Sequence, residues 1–150
     1  MAIGITQAVC SETGFASPVS LDFTTDFVTH EAAGAASDPA EGSTLIVAIM
    51  STENVTAVAT DQGDNGVEDY DPGGGAVYWR IEGISSGVTG LTITQAASGS
   101  LQTFVLELDV SVTENDNAAW ALTGNGFSTD QDYEYTTSEN GELVVAFTYA

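Results

Sequence analysis

Alternation of apolar and polar positions with a period of two dominates this chain. In residues 103–113 (TFVLELDVSVT), Phe104, Leu106, Leu108, Val110 and Val112 share one face, and Val105, Glu107, Asp109 and Ser111 share the other. That pattern predicts an antiparallel strand with one side turned to a core. Residues 76–82 (AVYWRIE) set Val77, Trp79 and Ile81 against Tyr78, Arg80 and Glu82, and residues 142–149 (ELVVAFTY) align Leu143, Val145, Phe147 and Tyr149. Residues 44–50 (TLIVAIM) are apolar on both faces, which predicts a central strand. Shorter candidates are 19–23, 55–60 and 88–94.

Turn-forming clusters such as GISSG, AASGS, TENDN and SENGE separate these runs, and no segment keeps a helical period over three turns. The pattern predicts an all-β fold: a single antiparallel β-sandwich of seven to eight strands. Jelly-roll and immunoglobulin-like wirings both satisfy it. Residues 19–150 form the expected sandwich domain, and residues 1–18, which lack a strong pattern, the expected N-terminal arm that packs on a neighbour. No internal repeat or linker interrupts the chain.

Charge is the extreme property. Against 22 Asp and Glu stands one basic residue, Arg80, for a net charge of −21 in 150 residues, while a 43% hydrophobic content argues for a folded globule over acidic disorder. A folded domain so charged repels itself, and salt relieves that repulsion. Nucleic acid is excluded as a direct partner, because nothing replaces the phosphate counterions. The longest apolar run, residues 45–50, is far too short to span a bilayer, so no membrane partner is expected. The opening MAIGITQAVCSETG has neither a basic start nor an apolar core, so no secretory signal is expected. As the only cysteine, Cys10 rules out an internal disulfide. Arg80, alone in this field, is expected to pair with carboxylates of its own chain, most simply across strands.

The candidate sites start with TDQGDNGVEDYDPGGG, residues 60–75, which carries five carboxylates. Asp61, Gly63, Asn65 and Gly66 follow the start of an EF-hand loop, but position twelve falls on Pro72 and position three lacks a side-chain oxygen, so that motif is rejected. A looser Ca2+ site from Asp64, Glu68, Asp69 and Asp71 is one reading; a solvated, enlarged hairpin loop is the other. His30 is the sole histidine, at an expected strand end and with no nucleophile motif around it. One His and one Cys do not make a closed zinc set. Paired carboxylates are the one catalytic option that composition permits, and they need a cleft with one raised pKa. Trp120, Tyr133 and Tyr135 are the candidates for a sugar-stacking platform, read against ordinary packing. Asn54-Val55-Thr56 is the lone N-x-T sequon and lies between two strand candidates.

The succession EGSTLIVAIMSTENVTAVATDQGDNG, AVYWRIEGISSGVTGLTIT, SLQTFVLELDVSV and GELVVAFTYA, about residues 41–150, resembles a β-sandwich module of tailed-phage and archaeal-virus virion surface proteins. Where that module has a compact Gly/Asn turn after its V-x-x-V-x-D strand, this chain has the longer acidic stretch. The resemblance implies a non-enzymatic structural role at the virion surface, in the manner of a capsid decoration protein made in the host cytoplasm. The implied partners are the major capsid protein or other virion proteins and sister subunits, with a trimer as the expected homo-oligomer. A glycan- or receptor-binding module of a tail fibre or adhesin is the alternative.

The charge makes a direct prediction. Raising NaCl from 0.1 M to 1 M shortens the Debye length from about 10 Å to about 3 Å, and the thermal midpoint should rise across that range. A midpoint that is flat or falls with salt would show that self-repulsion does not govern stability.

Overall fold

The fold is described from a computed structural model over residues 4–14, 16–29, 36–73 and 75–109, which fall in one compact unit spanning Met1–Thr113. The nine strands in these residues are β1 (Ile5–Gly14), β2 (Val19–Asp22), β3 (Val28–Thr29), β4 (Thr44–Ser51), β5 (Val55–Thr60), β6 (Val67–Gly73), β7 (Ala76–Ile81), β8 (Gly90–Gln95) and β9 (Ser100–Leu108). They form a six-stranded sheet, in the order β3-β1-β9-β4-β7-β6, and a three-stranded sheet, β2-β8-β5. Every neighbouring pair is antiparallel. The fold is therefore an all-β sandwich, as the alternation predicts, with nine strands in the described residues where seven to eight are expected. The expected strand at residues 142–149 lies outside the described residues.

The inner faces meet in one core. The large sheet contributes Val9, Leu45, Val47, Ile49, Val77, Trp79, Ile81, Leu101 and Val105; the small sheet contributes Leu21, Val55, Val58, Leu91 and Ile93. Each such side chain, fully buried, stabilises the fold by roughly 1.5–3 kcal/mol relative to exposure. Phe23 and Phe27 from the β2–β3 connection stack with ring centroids 5.1 Å apart and extend this core, as do Ile84 and Val88 between β7 and β8. In β5, Val55 and Val58 are three positions apart, a spacing that a regular strand would place on opposite faces. A register shift between Val55 and Ala57 absorbs the extra residue, and both valines point inward.

Three features differ from the expectation. Residues 5–14 are no detached arm: β1 lies between β3 and β9 and pairs with β9 over most of its length, with Gln7, Val9 and Ser11 turned inward and buried. Its inward polar residues disguise it, because an apolar count sees only Val9. The acidic stretch is more than a loop, since its second half forms β6, an edge strand carrying Glu68, Asp69, Asp71 and Pro72. Charge and proline suit an edge, where they discourage pairing with another chain. The third difference is the orientation of β9. Its core face is Leu101, Thr103, Val105 and Glu107, whereas Phe104 and Leu106 lie half-buried on the outward side.

Glu107 accounts for that orientation. It is 1% exposed, accepts a 2.9 Å bond from Gln7 Nε2 at Oε2 and a 2.7 Å bond from the Ala40 N–H at Oε1. Gln7, also 1% exposed, donates to the Ser37 carbonyl (2.9 Å) and accepts from the Ser37 N–H (3.1 Å). A buried carboxylate thus ties the loop before β4 to the inner face of β1 and β9. Replacing Glu107 with Ala should cost at least about 1 kcal/mol of unfolding free energy, because the buried Gln7 donor left unsatisfied costs about 1–3 kcal/mol, whereas the Ala40 N–H is only part-buried and reaches water. Urea unfolding with an unchanged m-value measures it; a loss below about 0.5 kcal/mol would mean that water takes over both bonds.

Candidate functional site

Strand order and chain order together make most connections cross between the sheets: β1–β2, β2–β3, β4–β5, β5–β6, β7–β8 and β8–β9 all do so. A crossing loop leaves backbone groups without ladder partners, and at one end of the sandwich carboxylates supply them. The β5–β6 and β7–β8 connections lie side by side there. Asp61 accepts from the Thr89 N–H (3.0 Å) and the Gly90 N–H (3.3 Å) at Oδ1, and from the Thr89 hydroxyl (2.8 Å) at Oδ2. Its own N–H donates to the Gly90 carbonyl at 3.0 Å. Asp64 accepts from the Ser85 hydroxyl (2.6 Å), the Ser85 N–H (2.9 Å) and the Thr60 hydroxyl (2.8 Å). Gly63, with φ of 91°, turns the chain between the two acids. Gly90 is fixed by space: a Cβ there would stand 2.6 Å from the Leu21 carbonyl oxygen.

Asp22 plays the same part in the adjacent β2–β3 connection. Its Oδ1 accepts from the Thr24 N–H (2.8 Å), the Thr24 hydroxyl (2.6 Å) and the Thr25 N–H (3.0 Å), while Asp26 accepts from the Asp22 N–H at 2.8 Å. Asp22, Asp26 and Asp61 border an open depression of about 220 Å3 with Ser20, Thr89 and Thr92 on its walls. The electrostatics there favour ionised acids. Hydrogen bonds from Thr24 hold the Asp22 carboxyl below its ordinary pKa. At Asp61 burial pushes the pKa up, but the Thr89 hydroxyl and N–H and the Gly90 N–H outweigh it, so the net shift is downward. Asp64 behaves likewise: burial raises it, and the Ser85 and Thr60 donors bring it below the usual range. A general acid of the glycosidase type needs the opposite shift. These carboxylates act as loop caps, accepting the N–H and O–H groups that crossing connections leave free.

The opposite end is locked by neutral groups. Ser17 Oγ donates to the Gln95 carbonyl (2.7 Å) and accepts from the Gln95 N–H (2.9 Å), and Gln95 Nε2 donates to Ser51 Oγ at 2.5 Å. Ser51 Oγ also donates to the Glu53 carbonyl at 2.6 Å.

The residues singled out in the sequence separate accordingly. Asp64 belongs to the crossing loop, whereas Glu68, Asp69 and Asp71 are on β6. Asp69 lies 3.4 Å from Arg80 Nη1, and Glu82 lies 2.8 Å from Arg80 Nε, so the single cation is held by its own chain, as expected. No group of three or more His, Cys, Asp or Glu among the described residues is arranged to hold a metal ion. His30, Trp120, Tyr133 and Tyr135 lie outside the described residues. The sequence reading missed the capping role of Asp61 and Asp22; the local signal was there in T-D-Q-G-D and D-F-T-T, where Asp stands beside Thr and turn formers. The distant partners of Asp61 and Asp64, Thr89 and Ser85, carry no signal of their own.

On the six-stranded sheet, the outward side carries Ala8, Cys10, Ile46, Tyr78, Phe104 and Leu106, all half-buried, and the exposed large apolar residues Ile5, Val28 and Val67 belong to the same sheet. No helix among the described residues is long and apolar enough to cross a membrane. No family model, curated protein or solved structure matches the chain.

The capping acids make stability depend on pH with a definite sign. A carboxylate whose folded pKa is depressed contributes fully above its unfolded pKa, about 3.9, and loses that contribution as pH falls through the folded value. Asp61→Asn should therefore cost about 1 kcal/mol near neutral pH, a figure for solvent-screened bonds to a charged acceptor. The gap between wild type and variant should close as pH drops below about 4. Denaturation midpoints of the two proteins measured in parallel from pH 7 to pH 2 give the difference. A gap that persists unchanged at the acid end would mean that the cap does not depend on ionisation.

Proposed function

We propose that this chain is a non-enzymatic structural protein of a virus particle, most specifically a capsid decoration protein that stabilises the shell in a saline environment. One observation carries the reading: all three exposed large apolar residues among those described, Ile5, Val28 and Val67, belong to the six-stranded sheet, and two of them are on its edge strands β3 and β6. In a chain of net charge −21, apolar contact is the attraction left for holding neighbours together. The cation that would pair with a partner's acid is already held by Asp69 and Glu82. The module resemblance over residues 41–150 supports the same reading. The protein in this role joins major capsid protein and sister subunits, as a homo-oligomer of which a trimer is the simplest form, through apolar burial against the six-stranded sheet, with its carboxylates toward salt water.

Particle association tests the proposal. The protein should co-purify with virions through a density gradient and occupy the outer shell in a particle reconstruction. Introducing charge by Val28→Asp and Val67→Asp together should lower its occupancy at least tenfold while leaving the thermal midpoint of the free domain within a few degrees. A monomer that is absent from particles and binds oligosaccharide would overturn the reading in favour of a receptor-binding module.

A further inference from the structure

In the sequon Asn54-Val55-Thr56, Val55 packs in the core, while the exposed Asn54 and Thr56 have no part in the core, the caps or the proposed contacts. We propose that Asn54 is an acceptor for N-linked glycan. Three observations carry this beyond the tripeptide. First, Asn54 is exposed in the three-residue connection between β4 and β5, and no hydrogen bond of its side-chain amide is seen among the described residues, whereas its backbone carbonyl is fixed by the Ala96 N–H at 2.8 Å. The backbone is anchored and the side chain is left to solvent. Second, the adjoining connection, β8–β9, is built from small residues at this point: Ala96, Ala97 and Ser98 are all exposed, so a branched saccharide on Asn54 meets no bulky neighbour there. Third, Thr56, whose hydroxyl a transferase must read, is exposed on β5, an edge strand of the small sheet. Its bond to the Thr94 carbonyl is 3.2 Å, long for an O–H···O contact and simple to release. The middle residue is valine, and only proline would forbid the reaction.

The chemistry is a group transfer with no redox step. A lipid-linked oligosaccharide phosphate is the donor, and a membrane oligosaccharyltransferase brings the two together. The bond between the sugar C1 and the phosphate oxygen breaks, and a bond from C1 to Asn54 Nδ2 forms. One amide proton passes from Nδ2 to a base of the transferase, and the lipid phosphate departs with the electron pair of the broken bond. Asn54 sits at the end locked by Ser17, Ser51 and Gln95, away from the carboxylate caps, so the added mass disturbs neither Asp61 nor Asp64. The inference does not rest on a role in a virus particle; it requires instead that the chain pass through a compartment holding the transferase.

The test uses the full chain, routed by an added leader through a secretory pathway that performs N-glycosylation, with intact mass and fragment spectra of the folded secreted product. The expected result is a hexose-containing mass on the segment that holds Asn54, removed by a glycan-releasing amidase that leaves Asp at that position. Asn54→Gln and Thr56→Ala should each abolish the added mass, and Thr56→Ser should retain it. Folding is checked in every variant by its thermal midpoint, which Asn54→Gln should leave unchanged because the exposed amide makes no bond among the described residues. A folded, secreted wild-type chain with unmodified Asn54 would overturn the proposal, as would a mass addition that survives Asn54→Gln.

Discussion

With one cation against 22 carboxylates, an acid in this chain has to find its partner among N–H and O–H groups. That constraint organises the structure. Asp22, Asp61 and Asp64 each gather donors from threonine or serine hydroxyls and the neighbouring amides, and Glu107 does the same inside the core with Gln7 and Ala40. The Gly4 N–H donates to Asp109 at 2.8 Å, one more pairing of the same kind. Hydrogen bonds to a charged acceptor are shorter and stronger than neutral ones, so caps of this sort stabilise a loop without help from lysine or arginine. The high Ser and Thr content beside the acids is then part of the electrostatic solution, since hydroxyls do what basic side chains do elsewhere.

The caps matter because of the wiring. A chain that passes repeatedly from one sheet to the other must close each passage with few residues, and each passage interrupts the ladders. Where two passages lie side by side, as β5–β6 and β7–β8 do, a single carboxylate in one satisfies the open amides of the other. Sheet-to-sheet adhesion in this domain is thus of three kinds. Apolar burial joins the inner faces, and charge-assisted bonds fasten one rim. The neutral lock of Ser17, Ser51 and Gln95 fastens the other.

Strands whose two faces differ in character were legible in the sequence. Alternation places β7 with Val77, Trp79 and Ile81 inward, and unbroken apolarity marks β4 as central between β9 and β7. Where burial and polarity part company, the pattern misleads. Gln7 and Ser11 face inward on β1, and Glu107 faces inward on β9; Gln7 and Glu107 bond to each other and to the loop before β4, whereas the Ser11 hydroxyl has no partner among the described residues. Period-two reasoning assigns such residues to solvent, so it hid β1 and inverted β9. The candidate site was half legible. Asp beside Thr marks a local turn, but the partners of Asp61 and Asp64 are 21 to 29 residues away, and only the fold brings them within reach.

Arg80 has a further meaning when the molecule is viewed as a substrate for proteases. Enzymes that cut after lysine or arginine find a single bond in the entire chain, the one following Arg80. That bond lies within β7, between β4 and β6, and the side chain that such a protease must draw into its pocket is 10% exposed and engaged by Asp69 and Glu82. Cleavage would require the β6–β7 pairing and both ion pairs to open together. The shortage of basic residues that forces the acids onto hydroxyls and amides therefore also leaves the folded domain with no accessible handle for trypsin-like digestion.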